Sequence, residues 1–323
     1  MNKILSFASL AILFATSVSY AAEREVGWHG QVSAHVGMMQ KKSQFNTDEN
    51  KTITQLGAAQ EQGNSVLVFP MWDINYGLQQ VAGEFYFQSD LAGMASNFYM
   101  EAGYRHYLTD GSRLGFGVIP GVLGRETWQD PYLLGAERQT TDAVIRGLVV
   151  NYDNIGGSSF SIELAAGQRE LDEEKSGASV NVDSNLLVRE GDLYYAQLSQ
   201  QWNLSADMGL EWQLHYLQDN ADGAAMENQR YGLEVEFTKT FGRHILLAGG
   251  QFYRQDYQAS HPVFLRKRQD DLMGLSGTYV YAAPFNWPQT LLIARIGWDN
   301  RDSNIDFYNE EEVLATVGMS YQF

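Results

Sequence analysis

The sequence predicts an all-β protein, a transmembrane antiparallel up-and-down β-barrel of about 14 strands, with 12 as the alternative count. Three observations predict this class. Apolar and polar residues alternate with a period of two from the first mature residues to the last. The connections alternate between short turns and long loops, and the chain ends on an aromatic residue in register with that alternation. We therefore expect short periplasmic turns and long extracellular loops.

The N-terminal 21 residues have the features of a cleaved signal peptide. Lys3 precedes an apolar run from Ile4 to Val18, and Ser19 and Ala21 provide small residues at a cleavage site. A membrane anchor is the alternative, but this run is shorter than the ~20 residues of a spanning helix. We expect export through the Sec pathway and a single barrel domain over residues 22–323, since no linker or shift in composition divides them.

Fourteen segments show the strand pattern. In one of them Leu210, Trp212 and Leu214 alternate with polar residues. A soluble β-sandwich or barrel would also alternate, but many segments reach the ~10 residues needed to cross a bilayer, and aromatic residues gather at their ends. The segments lie near residues 28–39, 65–77, 80–89, 96–108, 112–125, 141–152, 158–169, 191–203, 207–218, 229–240, 243–256, 270–282, 290–301 and 312–323.

The last strand resembles the terminal signal that the outer-membrane barrel assembly machinery recognises. Apolar residues occupy alternate positions from Val313 to Tyr321, and Phe323 ends the chain. We therefore expect Tyr321 and Phe323 to act as the assembly signal. The expected location is the outer membrane of a Gram-negative bacterium, in contact with lipid and lipopolysaccharide.

Composition excludes several classes of function. The chain of 323 residues has 22 Lys and Arg against 39 Asp and Glu, a net charge of −17, which argues against nucleic acid as a partner. It has no Cys, so disulfides, Cys-ligated zinc and thiol nucleophiles are excluded. The acidic groups 172–174 and 310–312 lack the spacing of a calcium loop. They can be solvated loop residues, or they can bind ions that bridge weakly to lipopolysaccharide. No G-x-S-x-G motif or Ser–His context is present, so we expect no catalytic residue, metal or cofactor.

Charged residues on the predicted inward face are the candidates for function. Such residues can line an aqueous channel, with Arg and carboxylates opposed across it, or form a closed salt-bridged interior. Aromatic and acidic residues of the long loops can fold inward as a constriction or display a binding surface. The lumen candidates are Arg105, Arg113, Arg254, Arg295, Glu84, Glu101, Glu211 and Glu234, and the loop candidates are Trp128, Asp130, Tyr132 and Phe307.

Short segments and the general layout resemble a family of uncharacterised Gram-negative envelope proteins, domain of unknown function 2860. The segments are Gln44–Thr47, Glu126–Tyr132 and Asp302–Tyr308, spread across the mature chain. The resemblance implies a secreted, strand-rich protein. It implies no activity.

The sequence predicts a passive porin-like channel for small hydrophilic solutes. A barrel of this size has a lumen wider than side chains readily fill, unless a loop plugs it. The excess of inward carboxylates predicts a mild cation preference. The alternatives are a non-conducting structural or surface-binding barrel and an outer-membrane hydrolase. The oligomeric state stays open.

Overall fold

The computed structural model describes residues 25–57, 60–92 and 97–323. The predicted signal peptide, residues 1–21, lies outside these residues. The described strands are β1 (Gly27–Ser43), β2 (Gln62–Gly77), β3 (Gly83–Ala92), β4 (Asn97–Tyr107), β5 (Arg113–Ile119), β6 (Arg125–Trp128), β7 (Thr140–Asp153), β8 (Phe160–Leu171), β9 (Gly191–Ser205), β10 (Met208–Ala221), β11 (Asn228–Phe241), β12 (His244–His261), β13 (Arg266–Ala282), β14 (Thr290–Ser303) and β15 (Glu310–Gln322).

These strands form one antiparallel sheet that closes on itself as a 14-stranded barrel. The first strand, β1, pairs with both β2 and β15, and the remaining neighbours follow chain order. Strands β5 and β6 both pair with β7, so they are two pieces of a single wall strand. The chain leaves the ladder between them at Pro120 and Gly121, where Gly121 has a φ of +66°. The predicted fold and the predicted strand number are confirmed.

The connections follow the predicted alternation of short and long. Turns such as 206–207 and 242–243 join strands at the end that holds both termini, and segments such as 44–61 and 172–190 join them at the other end. At the end opposite the termini, some strands are longer than the sequence predicts. The predicted loop 257–269 shrinks to 262–265, because β12 and β13 continue beyond the apolar part of the wall.

Four helical segments are single short turns in these connections, and among the described residues no helix is long and apolar enough to span a membrane. Their bounds are Ile155–Gly157, Ser184–Leu187, Pro284–Asn286 and Asp306–Tyr308.

The outer surface is apolar, as the alternation predicts. Val66 and Val68 of β2 are 71% and 78% exposed, and a lipid-facing position explains this exposure of apolar side chains in a closed sheet. At the end that holds the termini, Trp28 and Tyr76 lie side by side with ring centroids 5.0 Å apart, as expected for an interfacial aromatic girdle.

The chain terminus takes part in closing the barrel. Phe323 and Gly30 exchange backbone hydrogen bonds of 3.0 Å in both directions. The rings of Tyr321 and Phe323 lie outside the wall, 48% and 39% exposed, with centroids 6.5 Å apart. The residues expected to form the assembly signal are therefore also the last residues of the β1–β15 seam.

Candidate functional site

The inner wall carries an ion-pair network near the end that holds the termini. Glu84 of β3 lies at its centre and is 4% exposed. Its carboxylate lies 3.5 Å from Arg105 Nη1, 4.0 Å from Arg113 Nη1 and 3.4 Å from His29 Nε2. Arg113 also forms an ion pair with Asp153 at 2.9 Å. Ion pairs thereby connect β3, β4, β5 and β7 on the inner side, and His29 brings β1 into contact with them.

Glu101 of β4 belongs to the same wall. Tyr86 donates its hydroxyl hydrogen to Glu101 over 2.5 Å, and Gln88 lies at 3.5 Å. The guanidinium of Arg105 lies over the Tyr86 ring, 3.8 Å from its centroid. This stacking connects the Glu101 and Glu84 groups into one network.

A second polar group lies on β10 and β11. Gln213 donates to Glu211 over 2.7 Å, and Tyr253 donates its hydroxyl to Glu234. Glu236 sits directly opposite Glu211 in the β10–β11 ladder. Arg295 of β14 interacts electrostatically with Glu236 and with His35 of β1, so its charge links two distant parts of the wall.

For Arg105 and Arg113, the expected opposition of arginines and carboxylates across the lumen is not the arrangement that the structure has. Arg105 of β4 and Arg113 of β5 both form ion pairs with Glu84 of β3, so these charges pair within one wall. A residue on the next strand is about 5 Å away, far closer than the opposite wall, so pairing along the sheet is the stronger interaction.

The predicted inward position of Arg254 is wrong. Arg254 lies on the outer face of β12, where it forms ion pairs with Asp271 at 2.8 Å and Asp256 at 3.3 Å. Its ladder partner Tyr231 is 50% exposed on the same face. The strand extends past the apolar belt at this height, and an outward charge there meets water rather than lipid.

The inward carboxylates are shielded from solvent. Glu101, Glu234 and Glu211 are 1%, 5% and 8% exposed, although carboxylates lining a wide open lumen would be hydrated. Inward tyrosines such as Tyr86 and Tyr253 fill the space between them. Sequence reasoning missed these tyrosines, since an aromatic residue in a barrel strand is by default assigned to the lipid face.

An extracellular cap covers the end of the barrel opposite the termini. It consists of the segments 44–57, 129–139, 172–190, 222–227, 262–265 and 304–309. One apolar cluster joins all six of them. The buried members are Ile53, Tyr132, Leu187, Ala225, Ile305, Phe307 and Tyr308, and the partly buried ones include Phe45, Leu56, Val180, Val182, Leu186, Met226, Val263 and Phe264. Because these segments start from strands around the barrel, their convergence brings the described loops together over the mouth.

A hydrogen-bonded group of three rings lies at the base of the cap. The hydroxyls of Tyr132 and Tyr308 lie 2.6 Å apart, and His261 Nε2 lies 3.0 Å from the first and 2.8 Å from the second. Burial raises the pKa of Tyr308 to about 12, so its hydroxyl stays protonated. Arg268 points inward from β13 with its guanidinium 3.5 Å from the centroid of the Tyr308 ring, and thus joins the cap to the lumen wall.

Asp130 fastens two cap segments to each other. Its carboxylate accepts backbone hydrogen bonds from Tyr132 at 3.0 Å, Gly177 at 3.0 Å and Ser179 at 2.9 Å. Gly177 has a φ of +84°, a conformation that residues with a side chain rarely adopt. The carboxylate thus fixes the turn at 176–179 against the segment 129–139.

The other loop candidates also lie in the cap or at its edge. Trp128 is fully buried and donates its indole hydrogen to the Gln44 carbonyl over 2.8 Å. The Phe307 and Tyr132 rings have centroids 5.7 Å apart. The sequence left open whether the loop candidates fold inward or display a binding surface. All four of them fold inward.

Glu174 and Arg189 form a cap ion pair that sequence reasoning missed. Arg189 Nε lies 2.9 Å from the Glu174 carboxylate, and Arg189 also donates to the Trp128 carbonyl over 2.7 Å. Burial raises the pKa of Glu174, but the hydrogen bonds and charge of Arg189, with the Ser176 backbone N–H, outweigh it and leave the pKa below its usual value.

A Ser–His pair in the wall does not have the surroundings of a hydrolase. Ser33 Oγ lies 2.9 Å from His35 Nε2, the spacing of a nucleophile and its base. The charged neighbour of His35 is Arg295, which opposes the imidazolium that general-base catalysis would form. Within the described ranges, no group of three or more His, Cys, Asp or Glu residues could hold a metal ion.

Comparisons with solved structures find outer-membrane barrels of similar size. The chain is 10% identical to a monoaromatic hydrocarbon channel, CymD, with 97% and 91% of the two chains covered and a TM-score of 0.49. It is 10% identical to a loop-deletion mutant of OmpT, an outer-membrane protein of Vibrio cholerae, over 93% and 99% of the chains, with a TM-score of 0.44. It is 11% identical to an anion-selective porin from Comamonas acidovorans, with 93% of this chain and 100% of the porin covered and a TM-score of 0.42. Likenesses this distant do not bear on function.

No curated protein sequence matches the chain. One family does match, over residues 27–322, and its description is a protein of unknown function, DUF2860. The match covers the whole barrel from the first strand to the last. The chain therefore belongs to the DUF2860 family.

Proposed function

We propose that this protein is an outer-membrane channel for small hydrophilic solutes whose extracellular mouth is closed by the cap. The observation that carries the proposal is the inner wall itself. Ionised and polar side chains continue from the Glu84 network to Arg268 beneath the cap. Shielding so many charges from water is costly, and a barrel needed only for anchoring could fill its interior with apolar residues at lower cost.

The proposed channel prefers cations. Glu211, Glu236 and Asp299 point inward and have no ion pair within 4 Å among the described residues. Arg230 is also inward and without one, and Arg105, Arg113 and Arg268 are each paired with a carboxylate, so carboxyl groups are in excess. In the hydrated open channel these carboxyl groups ionise, and the excess of negative lumen charge enriches cations.

The proposed channel conducts only while the cap is displaced. The cap is held by packing of side chains such as Phe307, which is 1% exposed. Phe307→Ala removes a buried ring, at a cost of about 3–5 kcal/mol to the packed cap. The matched control is Phe285→Ala, at a 75% exposed ring in a turn at the opposite end of the barrel.

Planar-bilayer conductance in a salt gradient tests this function. Refolded wild-type protein is expected to give rare openings with a reversal potential of cation-selective sign. Phe307→Ala is expected to open more often, and Phe285→Ala to match wild type. Absence of conductance from the wild type and both variants would end the channel proposal. An anion-selective sign would leave the channel and overturn the charge argument.

The ordered cap favours a second candidate, a non-conducting barrel whose loops bind a surface partner. Its supporting observation is the convergence of six loop segments into one packed cluster, a rigid surface of the kind that recognition requires. The conductance of Phe307→Ala separates the two, since loosening a purely structural cap over a filled barrel opens no path.

The remaining assignments complete the proposal. We propose export through the Sec pathway, recognition of Tyr321 and Phe323 by the barrel assembly machinery, and contact with lipopolysaccharide at the outward rim. The rim has charged side chains of both signs, among them Lys42, Glu311, Arg254 and Asp271. Anionic lipopolysaccharide can meet this rim through the basic groups directly and through divalent cations at the acidic ones.

A further inference from the structure

Arg230 of β11 is a buried cation without an ion-pair partner. The residue is 9% exposed and points into the lumen, since its neighbour Tyr231 lies on the outer face. Its one hydrogen bond to the described residues runs from Nε to Gln255 Oε1 over 3.1 Å, and no carboxylate of these residues lies within 4 Å. The terminal nitrogens of the guanidinium therefore have no partner among them. Arginine keeps its proton in proteins, so burial cannot neutralise this charge.

The carboxylates nearest to Arg230 are engaged by other cations. Asp219 accepts two hydrogen bonds, of 2.8 and 2.9 Å, from Arg169. Asp270 accepts two from Arg268, of 2.9 and 2.5 Å. Both carboxylates interact with Arg230 electrostatically but form no ion pair with it. These two bidentate pairs leave Arg230 as the cation in excess.

Arg301 of β14 brings a second guanidinium to the same part of the inner wall, where it interacts electrostatically with Arg230. One row of ladder partners runs from Arg230 through Gln255 and Asp270 to Ser303. Arg301 lies two positions from the end of that row. Its Nε is buried, lies 3.9 Å from the already paired Asp270 and has no hydrogen-bond partner among the described residues.

The other carboxylate within electrostatic reach of Arg301 is Glu310, which is engaged by β1. Lys41 Nζ lies 3.3 Å from the Glu310 carboxylate, and Ser43 donates its hydroxyl hydrogen to it over 2.8 Å. Two guanidiniums on the inner wall beneath the cap thus have unused N–H groups. A guanidinium is a planar fork that matches the two oxygens of a carboxylate.

Apolar side chains flank both guanidiniums. Leu217 is the ladder partner of Arg230, and Leu272 is the ladder partner of Arg301. Leu217 is buried, whereas Leu272 is half-buried and leaves apolar surface beside the charges. This combination suits an organic acid with one carboxylate and an apolar body. A doubly charged anion fits less well, because the carboxylate of Asp270 lies close by.

We propose that Arg230 and Arg301 form a binding site for the carboxylate group of a small organic acid in the lumen. Its oxygens accept hydrogen bonds from the two guanidiniums, and its apolar body lies against Leu272. The site is compatible with a cation preference, since ion preference follows the charge of the whole lumen and binding follows the nearest groups. The inference goes beyond the channel proposal, because a barrel that does not conduct can still bind an acid.

Fluorine NMR of para-fluorobenzoate with the refolded mature protein in detergent micelles tests the site. Binding broadens the fluorine signal, and a titration gives Kd. Arg230→Gln and Arg301→Gln each remove one fork. Arg254→Gln is the matched control, because Arg254 is an outward arginine with two carboxylate partners. Arg230→Lys keeps the charge and loses the fork. Heat-modifiable gel migration verifies that each variant is folded.

We expect Arg254→Gln to bind para-fluorobenzoate with the Kd of the wild type, and Arg230→Gln and Arg301→Gln to bind at least about tenfold more weakly. Arg230→Lys should bind with an intermediate Kd, and it replaces Arg230→Gln in the comparison if the latter does not fold. The neutral para-fluorobenzyl alcohol, which reports on partition into the micelle, should show no difference between the wild type and these variants.

No binding to the wild type would overturn the proposal, and so would a Kd that is unchanged in the variants of Arg230 and Arg301. Acetate should displace para-fluorobenzoate, and inorganic phosphate should displace it less. Equal displacement by phosphate would overturn the preference for a single carboxylate. Binding without conductance would leave the site and end the channel proposal, and conductance without binding would do the reverse.

Discussion

The substitution Asp130→Ala tests how the cap is held. The Asp130 carboxylate accepts three backbone hydrogen bonds, of 3.0, 3.0 and 2.9 Å, and is 8% exposed. Hydrogen bonds to a charged group contribute roughly 1.5–3 kcal/mol each. Water will reach some of the freed N–H groups, so we expect the free energy of local cap opening to fall by about 4 kcal/mol. This corresponds to an increase of about a thousandfold in the equilibrium constant for opening.

Amide hydrogen exchange measures this opening directly. In the Asp130→Ala variant, the Gly177 and Ser179 amides should exchange about a thousandfold faster, while the barrel ladder keeps its protection. Asp183→Ala is the matched control in the same segment, since Asp183 is exposed and caps only Asn185 N at 3.1 Å. If Asp130→Ala and Asp183→Ala had the same protection at residues 177–179, the reasoning about the carboxylate would be refuted.

Three further predictions concern other parts of the molecule. Because the pKa of Glu174 is lowered in the folded cap, its ion pair with Arg189 stabilises the cap above the unfolded-state pKa, and this stabilisation is lost as the pH falls through the folded pKa. Proteolysis of segment 172–190 should therefore accelerate on acidification in the wild type. A Glu174→Gln variant with the same acid response would contradict this prediction. Val317→Arg, at a 54% exposed lipid-facing site, should cost about 2–4 kcal/mol in urea unfolding from lipid vesicles, and an unchanged midpoint would disprove the face assignment. Tyr132→Phe removes the hydroxyl that is hydrogen-bonded to His261 and should lower the free energy of cap opening, measured by amide hydrogen exchange, by about 1–3 kcal/mol. Exchange equal to that of the wild type would show that this hydroxyl does not hold the cap.

The wall was predictable because the bilayer imposes a period of two on every strand. Val317 and Tyr321 face outward, and Glu84, Glu211 and Glu234 face inward, as that period requires. The period stops being informative where the wall leaves the membrane. Arg254 lies above the apolar belt, and there both faces of a strand can carry charge.

The cap was not predictable beyond its candidate residues. Its core joins positions such as Phe45, Tyr132 and Phe307, which lie far apart in sequence and follow no period. Only closure of the barrel brings their loops together.

Reversible locking of the cap by a disulfide would show whether this barrel is a channel closed at its extracellular mouth. Ile53 and Leu134 form a backbone bridge between two cap segments, so their Cα atoms are close enough for a disulfide in the otherwise Cys-free chain. If the cap closes the channel, the Ile53→Cys/Leu134→Cys protein is silent in planar bilayers when oxidised and regains wild-type openings when reduced, while each single variant conducts in both conditions. Equal conductance of the double variant in its oxidised and reduced forms would contradict the claim.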